Sequence, residues 1–189
     1  MKNIAIFASG SGTNAENLIR FFRTSQFGKV RIVLCNRPDA GVIERAQSLE
    51  VESLVFTREQ FYNSREVLDL LLERDIDYIV LAGFLWLVPD YLLKPYENKI
   101  VNIHPALLPK YGGKGMYGKR VHRAVIDAGE NESGITIHHV NQDYDDGDII
   151  FQASCVVEPG ESPESLAKKI HELEYSYFPT VVENLLKKL

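Results

Sequence analysis

Short apolar runs alternating with helical patterns fill the first hundred residues, and this rhythm constrains the fold more than any other feature. Residues 3–8 (NIAIFA), 30–35 (VRIVLC), 54–56 (LVF), 78–82 (YIVLA) and 100–103 (IVNI) read as strands. They are almost uniformly apolar rather than alternating, as are strands covered on both faces of a parallel sheet. Between them, Leu18, Ile19, Phe21 and Phe22 mark one helix, and Val42, Ile43 and Ala46 mark a second over residues 40–50. Val67, Leu68, Leu71 and Leu72 give the apolar face of a third, which Thr57 is expected to cap.

After Tyr111 the pattern changes. A glycine-rich connection, GGKGMYG, leads to a helix near residues 121–128. Residues 134–141 (GITIHHVN) and 149–157 (IIFQASCVV) then read as two strands joined by an acidic loop. Ser162 or Ser165 opens a long final helix that Pro179 is expected to interrupt. The prediction is an α/β fold: a Rossmann-like, mostly parallel twisted sheet with helices on both faces and an antiparallel strand pair toward the C-terminal part. No repeat or long linker divides the 189 residues, so a single domain over 1–189 is expected.

Composition excludes some partners. A net charge of −5, with only residues 110–123 locally basic, disfavours nucleic acid, which needs a concentrated basic surface. No apolar run approaches the roughly 18–20 residues of a membrane span. The start, MKNIAIFASGSG, is too short in its apolar run and too glycine-rich for a signal peptide. Cys35 and Cys155 sit in apolar runs, which suits buried thiols in a reducing compartment. A cytoplasmic protein is expected.

The segment Gly10-Ser11-Gly12-Thr13-Asn14-Ala15 follows the first strand and opens the first helix. It matches the G-x-G-x-x-A dinucleotide fingerprint, which also expects an acidic residue at the end of the second strand. That strand ends instead in Cys35-Asn36-Arg37. A monophosphate on Ser11, Gly12, Thr13 and Asn14 is favoured over a dinucleotide, the alternative being a plain turn with Thr13 as helix cap. A second near-match, GKGMYGKR over residues 113–120, puts Arg120 where a nucleotide loop needs a hydroxyl. It reads as a mobile basic connection, either closing over ligand or lying on the surface.

Asn102 and His104 are two apart at the end of a strand and so point to the same side. An amide donor beside an imidazole suits oxyanion stabilisation and proton transfer. On that spacing alone, a loop with two satisfied polar residues is the plainer reading. In the acidic loop, Asp143, Asp145, Asp146 and Asp148 lack the spacing of a calcium loop and are mostly expected to be solvated. One of them, facing His104, would raise the imidazole's pKa. Adjacent His138 and His139 point to opposite faces, which disfavours joint chelation, and no catalytic metal is expected.

Together, SGSGTN, LAGFLWLVP, NIHPALLPKY, ESGITIHHV and DYDDGDIIFQ resemble the folate-dependent formyltransferases, over nearly the whole chain. The resemblance implies a cytoplasmic transferase of purine biosynthesis and one-carbon metabolism. Its formyl donor would be 10-formyltetrahydrofolate, and its acceptor the primary amine of glycinamide ribonucleotide. It implies Asn102, His104 and Asp145 as catalytic residues. Ser11, Gly12, Thr13 and Asn14 would hold the ribose phosphate and Glu174 the glycinamide part. Phe84, Leu85, Trp86, Leu87 and Val88, with Arg65 and Asn102, would line the folate pocket. Trp86 stands where some members carry arginine, and GGKGMYGKR is longer than in the shortest members. Partners are expected to be these small molecules, with the chain a monomer or homodimer that binds neither nucleic acid nor membrane. Within the same chemistry, a tRNA formyltransferase or a formyltetrahydrofolate hydrolase would be expected to carry an extra domain. A non-catalytic nucleotide-binding module would explain SGSGTN but not Asn102, His104 and Asp145 together.

Overall fold

The computed structural model describes residues 1–189. In chain order its elements are β1 (Lys2–Ala8), α1 (Thr13–Phe22), β2 (Gly28–Cys35), α2 (Gly41–Ser48), β3 (Glu52–Val55), α3 (Arg58–Tyr62) and α4 (Glu66–Glu73). There follow β4 (Tyr78–Leu81), α5 (Asp90–Leu93), β5 (Ile100–His104), α6 (Lys119–Asp127), β6 (Glu132–His139), β7 (Ile149–Val156) and α7 (Pro163–Leu186). All seven strands form one sheet in the order β3-β2-β1-β4-β5-β6-β7. The five strands from β3 to β5 are parallel, and β6 and β7 add antiparallel at the β5 side.

Uniformly apolar strands are what two buried faces require, because successive side chains point to opposite sides. Ile4, Ile6, Val33, Val80 and Val101 pack on one face, under Leu18, Phe22, Val42, Val125, Ile170 and Phe178 of the α1, α2, α6 and α7 layer. Ala5, Phe7, Ile32, Leu34, Ile79 and Ile100 pack on the other, against Phe61, Leu68, Leu71 and Leu92. No helix is long and apolar enough to cross a membrane.

Several elements differ from the sequence expectation, each for a local reason. The third strand starts two residues earlier and ends one earlier, at Glu52–Val55; Phe56 just beyond it still donates its N–H to the Cys35 carbonyl at 2.9 Å and stacks its ring on Phe61 at 5.1 Å. The helix expected after Thr57 is two helices. Thr57 and Gln60 close a capping box on α3, and Ser64 Oγ then accepts the Glu66 N–H to begin α4. Leu72 is 54% exposed rather than on the apolar face. Cys155 is only partly buried, and neither cysteine forms a disulfide.

Pro179 does not interrupt α7, which runs unbroken from its Ser162 cap to Leu186. A proline leaves the carbonyl four residues earlier without its donor. Here that carbonyl, of Tyr175, accepts the Asn17 side-chain amide of α1 at 3.0 Å. The orphan becomes a tie between two helices.

β6 and β7 approach so closely at Gly134 that a Cβ there would collide with the Ala153 carbonyl and crowd Leu107. Gly134→Ala should therefore destabilise the protein by roughly 1–3 kcal/mol through overpacking against backbone. Thermal unfolding of the purified variant reads this directly, and an unchanged midpoint would show that the strands can separate without cost.

Candidate active site

A cavity of about 580 Å³ opens beyond the carboxyl ends of β1, β4 and β5. Crevices there are the usual ligand sites of open parallel sheets. The first loop forms one wall. Gly12 takes the left-handed conformation (φ 78°) and occupies the N-cap of α1 with no side-chain cap. Thr13 is thus the first residue of the helix and not its cap, and Ser11, Gly12, Thr13 and Asn14 all line the cavity.

The opposite wall is built where β5 changes partners, parallel to β4 on one side and antiparallel to β6 on the other. The register sets Asn102 directly across from His138. Asp145 reaches in from the β6–β7 loop with a left-handed backbone (φ 55°), and Tyr111 is left-handed too (φ 58°). Such residues cost on the order of 1–3 kcal/mol each and gather at functional sites. Asp145 Oδ2 lies 3.4 Å from His104 Nδ1 and accepts the Gly113 N–H at 3.0 Å. Its Oδ1 lies 3.4 Å from Asn102 Nδ2 and 3.6 Å from His138 Nε2.

Backbone carbonyls assign the tautomers. His104 Nε2 is 2.8 Å from the Tyr111 carbonyl and His138 Nδ1 is 2.8 Å from that of His139, so both nitrogens carry hydrogen. His138 Nε2 is then the acceptor for Asn102 Nδ2 at 3.0 Å. His104 presents its Nδ1 lone pair toward the Asp145 carboxylate. Asp145 was expected to raise the His104 pKa, and its charge does pull that way, but burial outweighs it and holds the imidazole below its ordinary value. His104 is neutral at neutral pH. Burial works against ionising Asp145 as well, but the pull of His138 and His104, exerted when these imidazoles are protonated, and the Gly113 amide act against it and bring the carboxyl below the usual range.

The third wall comes from α7. Glu174 is buried; its Oε2 accepts Asn14 Nδ2 at 2.8 Å and pairs with His171 Nδ1 at 2.9 Å. That bond raises the pKa of His171. His122 of α6 is buried on the same cavity, its Nδ1 without a partner and its pKa lowered by burial and by His171.

Phe84 and Leu85 line the main cavity. Phe84, Trp86, Leu87 and Val88 line a smaller one of about 50 Å³, which shares Asn102, Tyr144 and Asp145 with the first. Trp86 packs within about 6 Å of Phe56, Phe61 and Tyr62. Arg65 is exposed at the start of α4 and lines neither cavity. The cation beside this segment is Arg58, over the rings of Tyr62 and Trp86. The basic connection is part of the cavity wall, from Gly113 to Gly118 with Arg120. Asp143, Asp146 and Asp148 are exposed around Asp145.

Sequence reasoning missed His138, His122, His171 and Tyr144. The first depends on the β5–β6 register, and the others on how α6, α7 and the acidic loop dock, none of which leaves a local signal.

Asn102, His104 and Asp145 thus meet between the glycine-rich first loop and the aromatic segment from Phe84 to Val88. A model described as formyl transferase matches residues 2–182, and the chain belongs to that family. It is 33% identical over 191 residues to the phosphoribosylglycinamide formyltransferase of Bacillus subtilis, covering 98% of this chain and 95% of that one. It is 38% identical over 187 residues to the chloroplastic phosphoribosylglycinamide formyltransferase of Arabidopsis thaliana, covering 96% of this chain and 64% of that longer one. The solved structure of the Bacillus halodurans phosphoribosylglycinamide formyltransferase superposes with a TM-score of 0.88 at 37% identity, covering 99% and 96% of the two chains. That of glycinamide ribonucleotide transformylase 1 from Geobacillus kaustophilus gives 0.86 at 40%, covering 98% and 99%.

The histidines make stability depend on pH. His104, His122 and His139 are each held below 6.5, with burial the largest cause. As pH falls through about 6.5 the unfolded chain takes up protons that the native imidazoles refuse, so stability is lost on the acid side. His171, raised by Glu174, works in the opposite sense and loses its contribution as pH rises. With three groups against one, the unfolding midpoint should drop between about pH 7.5 and about pH 5.5, and the drop should be shallower in His122→Phe. A midpoint flat across that window would contradict the burial of these groups.

Proposed function

We propose that this chain transfers the formyl group of 10-formyltetrahydrofolate to the primary amine of glycinamide ribonucleotide. One observation carries it: a largely buried carboxylate, an imidazole and a carboxamide meet where the glycine-rich loop that opens α1 and the segment from Phe84 share a cavity. Ser11, Gly12, Thr13 and Asn14 bind the ribose phosphate through the free amides that open α1. Glu174 holds the glycinamide part. Phe84 to Val88 receive the folate. Both partners are small molecules, met in the cytoplasm by a monomer or homodimer.

The amine nitrogen attacks the formyl carbon, giving a tetrahedral oxyanion. The Asn102 N–H aimed at Asp145 makes a long bond of 3.4 Å, so it is the one exchanged for the oxyanion. The other, at 3.0 Å from His138, keeps the carboxamide oriented. His104 starts neutral and takes the amine proton on Nδ1, where Asp145 stabilises the imidazolium. The carbon–nitrogen bond to the folate then breaks, and the proton passes to the departing nitrogen. The facing carboxylate alone would favour a charged imidazole; burial outweighs it and favours a base that gains charge only during the reaction.

A transfer assay with both substrates tests this. Tetrahydrofolate and formylated amine should form in equal amounts. Asn102→Ala should lose about 100–1000-fold in turnover, the usual effect of removing one oxyanion donor. Asp145→Asn should abolish transfer. Deformylation of the folate without formylated amine would indicate hydrolysis and refute the proposal. Since the imidazole must begin neutral, kcat/KM should fall as pH drops through the His104 value, which lies below 6.5. A profile flat through that range would remove His104 from the base role.

A further inference from the structure

We propose that Arg45, on α2 and outside the cavity, is a positioning residue that fixes the peptide planes offered to the substrate's phosphate. This rests on the reading of the first loop as the phosphate site. Arg45 Nε donates to the Ser11 carbonyl at 2.9 Å, and the Val42 N–H, on the same helix, donates to the Gly10 carbonyl at 3.2 Å. A trans peptide points its N–H opposite its C=O. Holding these two carbonyls on α2 therefore turns the N–H groups of Ser11 and Gly12 away from that helix. Neither finds an acceptor within the protein, and both residues line the cavity. The loop also lies flush on α2: a Cβ on Gly12 would meet Val42 at 2.5 Å.

The same guanidinium has a second duty. It pairs with Glu16, whose other carboxylate oxygen takes Arg20 at 2.8 Å. Glu16 sits in the first turn of α1, where an unpaired carboxylate would repel an incoming phosphate. Two arginines on one carboxylate leave that neighbourhood net positive. A single planar fork reaches the carbonyl and the carboxylate together, which a lysine ammonium on its flexible stem is poorly shaped to do. The Arg45 side chain is 41% exposed, so replacing it leaves the core intact.

The test compares wild type, Arg45→Met, Arg45→Lys and Arg45→Met with Glu16→Gln, using inorganic phosphate as a competitive probe. In Arg45→Met, the Ki for phosphate and the KM for the phosphorylated amine should both rise about tenfold, the loss of a charged hydrogen bond. The folate KM and kcat should hold. Arg45→Lys should recover only part of the loss. The double variant keeps the net charge through Arg20 but lacks the brace, and should stay impaired. Recovery of wild-type Ki in the double variant would make the effect one of charge and overturn the brace. An unchanged Ki in Arg45→Met, with only a lowered unfolding midpoint, would also overturn it while leaving the phosphate reading intact. A wild-type protein indifferent to phosphate would sink the phosphate reading and the brace with it.

Discussion

Asp145 is ionised although its side chain is only 11% exposed, and a charge so withdrawn from water has to be compensated from all sides. The groups around it come from separate stretches of chain: Asn102 at the end of β5 and the Gly113 amide from the glycine-rich connection donate to it, while His104 at the end of β5 and His138 on β6 stand beside it as imidazoles that it would stabilise on gaining a proton. Their meeting depends on the antiparallel pairing of β5 with β6. A slip of one residue in that register would turn His138 to the other face and leave Asn102 without its acceptor. Gly147 tightens the turn further, since a Cβ there would run into the His139 carbonyl.

The parallel part of the sheet contributes differently. It supplies a rigid rim from which loops project at the carboxyl ends of the strands, and those loops line the cavity. α7 crosses to the same rim, bringing Glu174 and His171, and is tied to α1 by the Asn17–Tyr175 contact at its buried proline. Helix packing and part of the cavity wall are thus joined in one element. Displacing α7 would move Glu174 relative to Asn14, whose contact spans 160 residues of sequence.

Much of the architecture was legible beforehand because a doubly covered parallel strand has a strong signature: a short run of Ile, Val, Leu and Phe without alternation. Asn102 and His104 stood out because two residues apart on a strand is a geometric statement. The placement of Asp145 came from the family resemblance rather than from the loop itself, where four aspartates look alike. Elsewhere local rules met tertiary facts they could not contain. Pro179 reads as a breaker until a side chain from another helix satisfies the carbonyl it orphans. Leu72 fits a helical apolar stripe but faces solvent once α3 and α4 separate at residues 63–65. The state of His104 was misjudged because the nearby carboxylate is visible in sequence terms and the loss of water around the imidazole is not.

The aromatic packing around the smaller cavity has an optical consequence. Trp86 is the only tryptophan in the chain. It stands in that cavity's wall, among Phe56, Phe61 and Tyr62 and beneath Arg58. The protein therefore carries a single indole beside that pocket, about 6 Å from rings that report on both α3 and the core. Its emission is a label that evolution has already installed, sensitive to what enters that pocket and uncontaminated by any second indole.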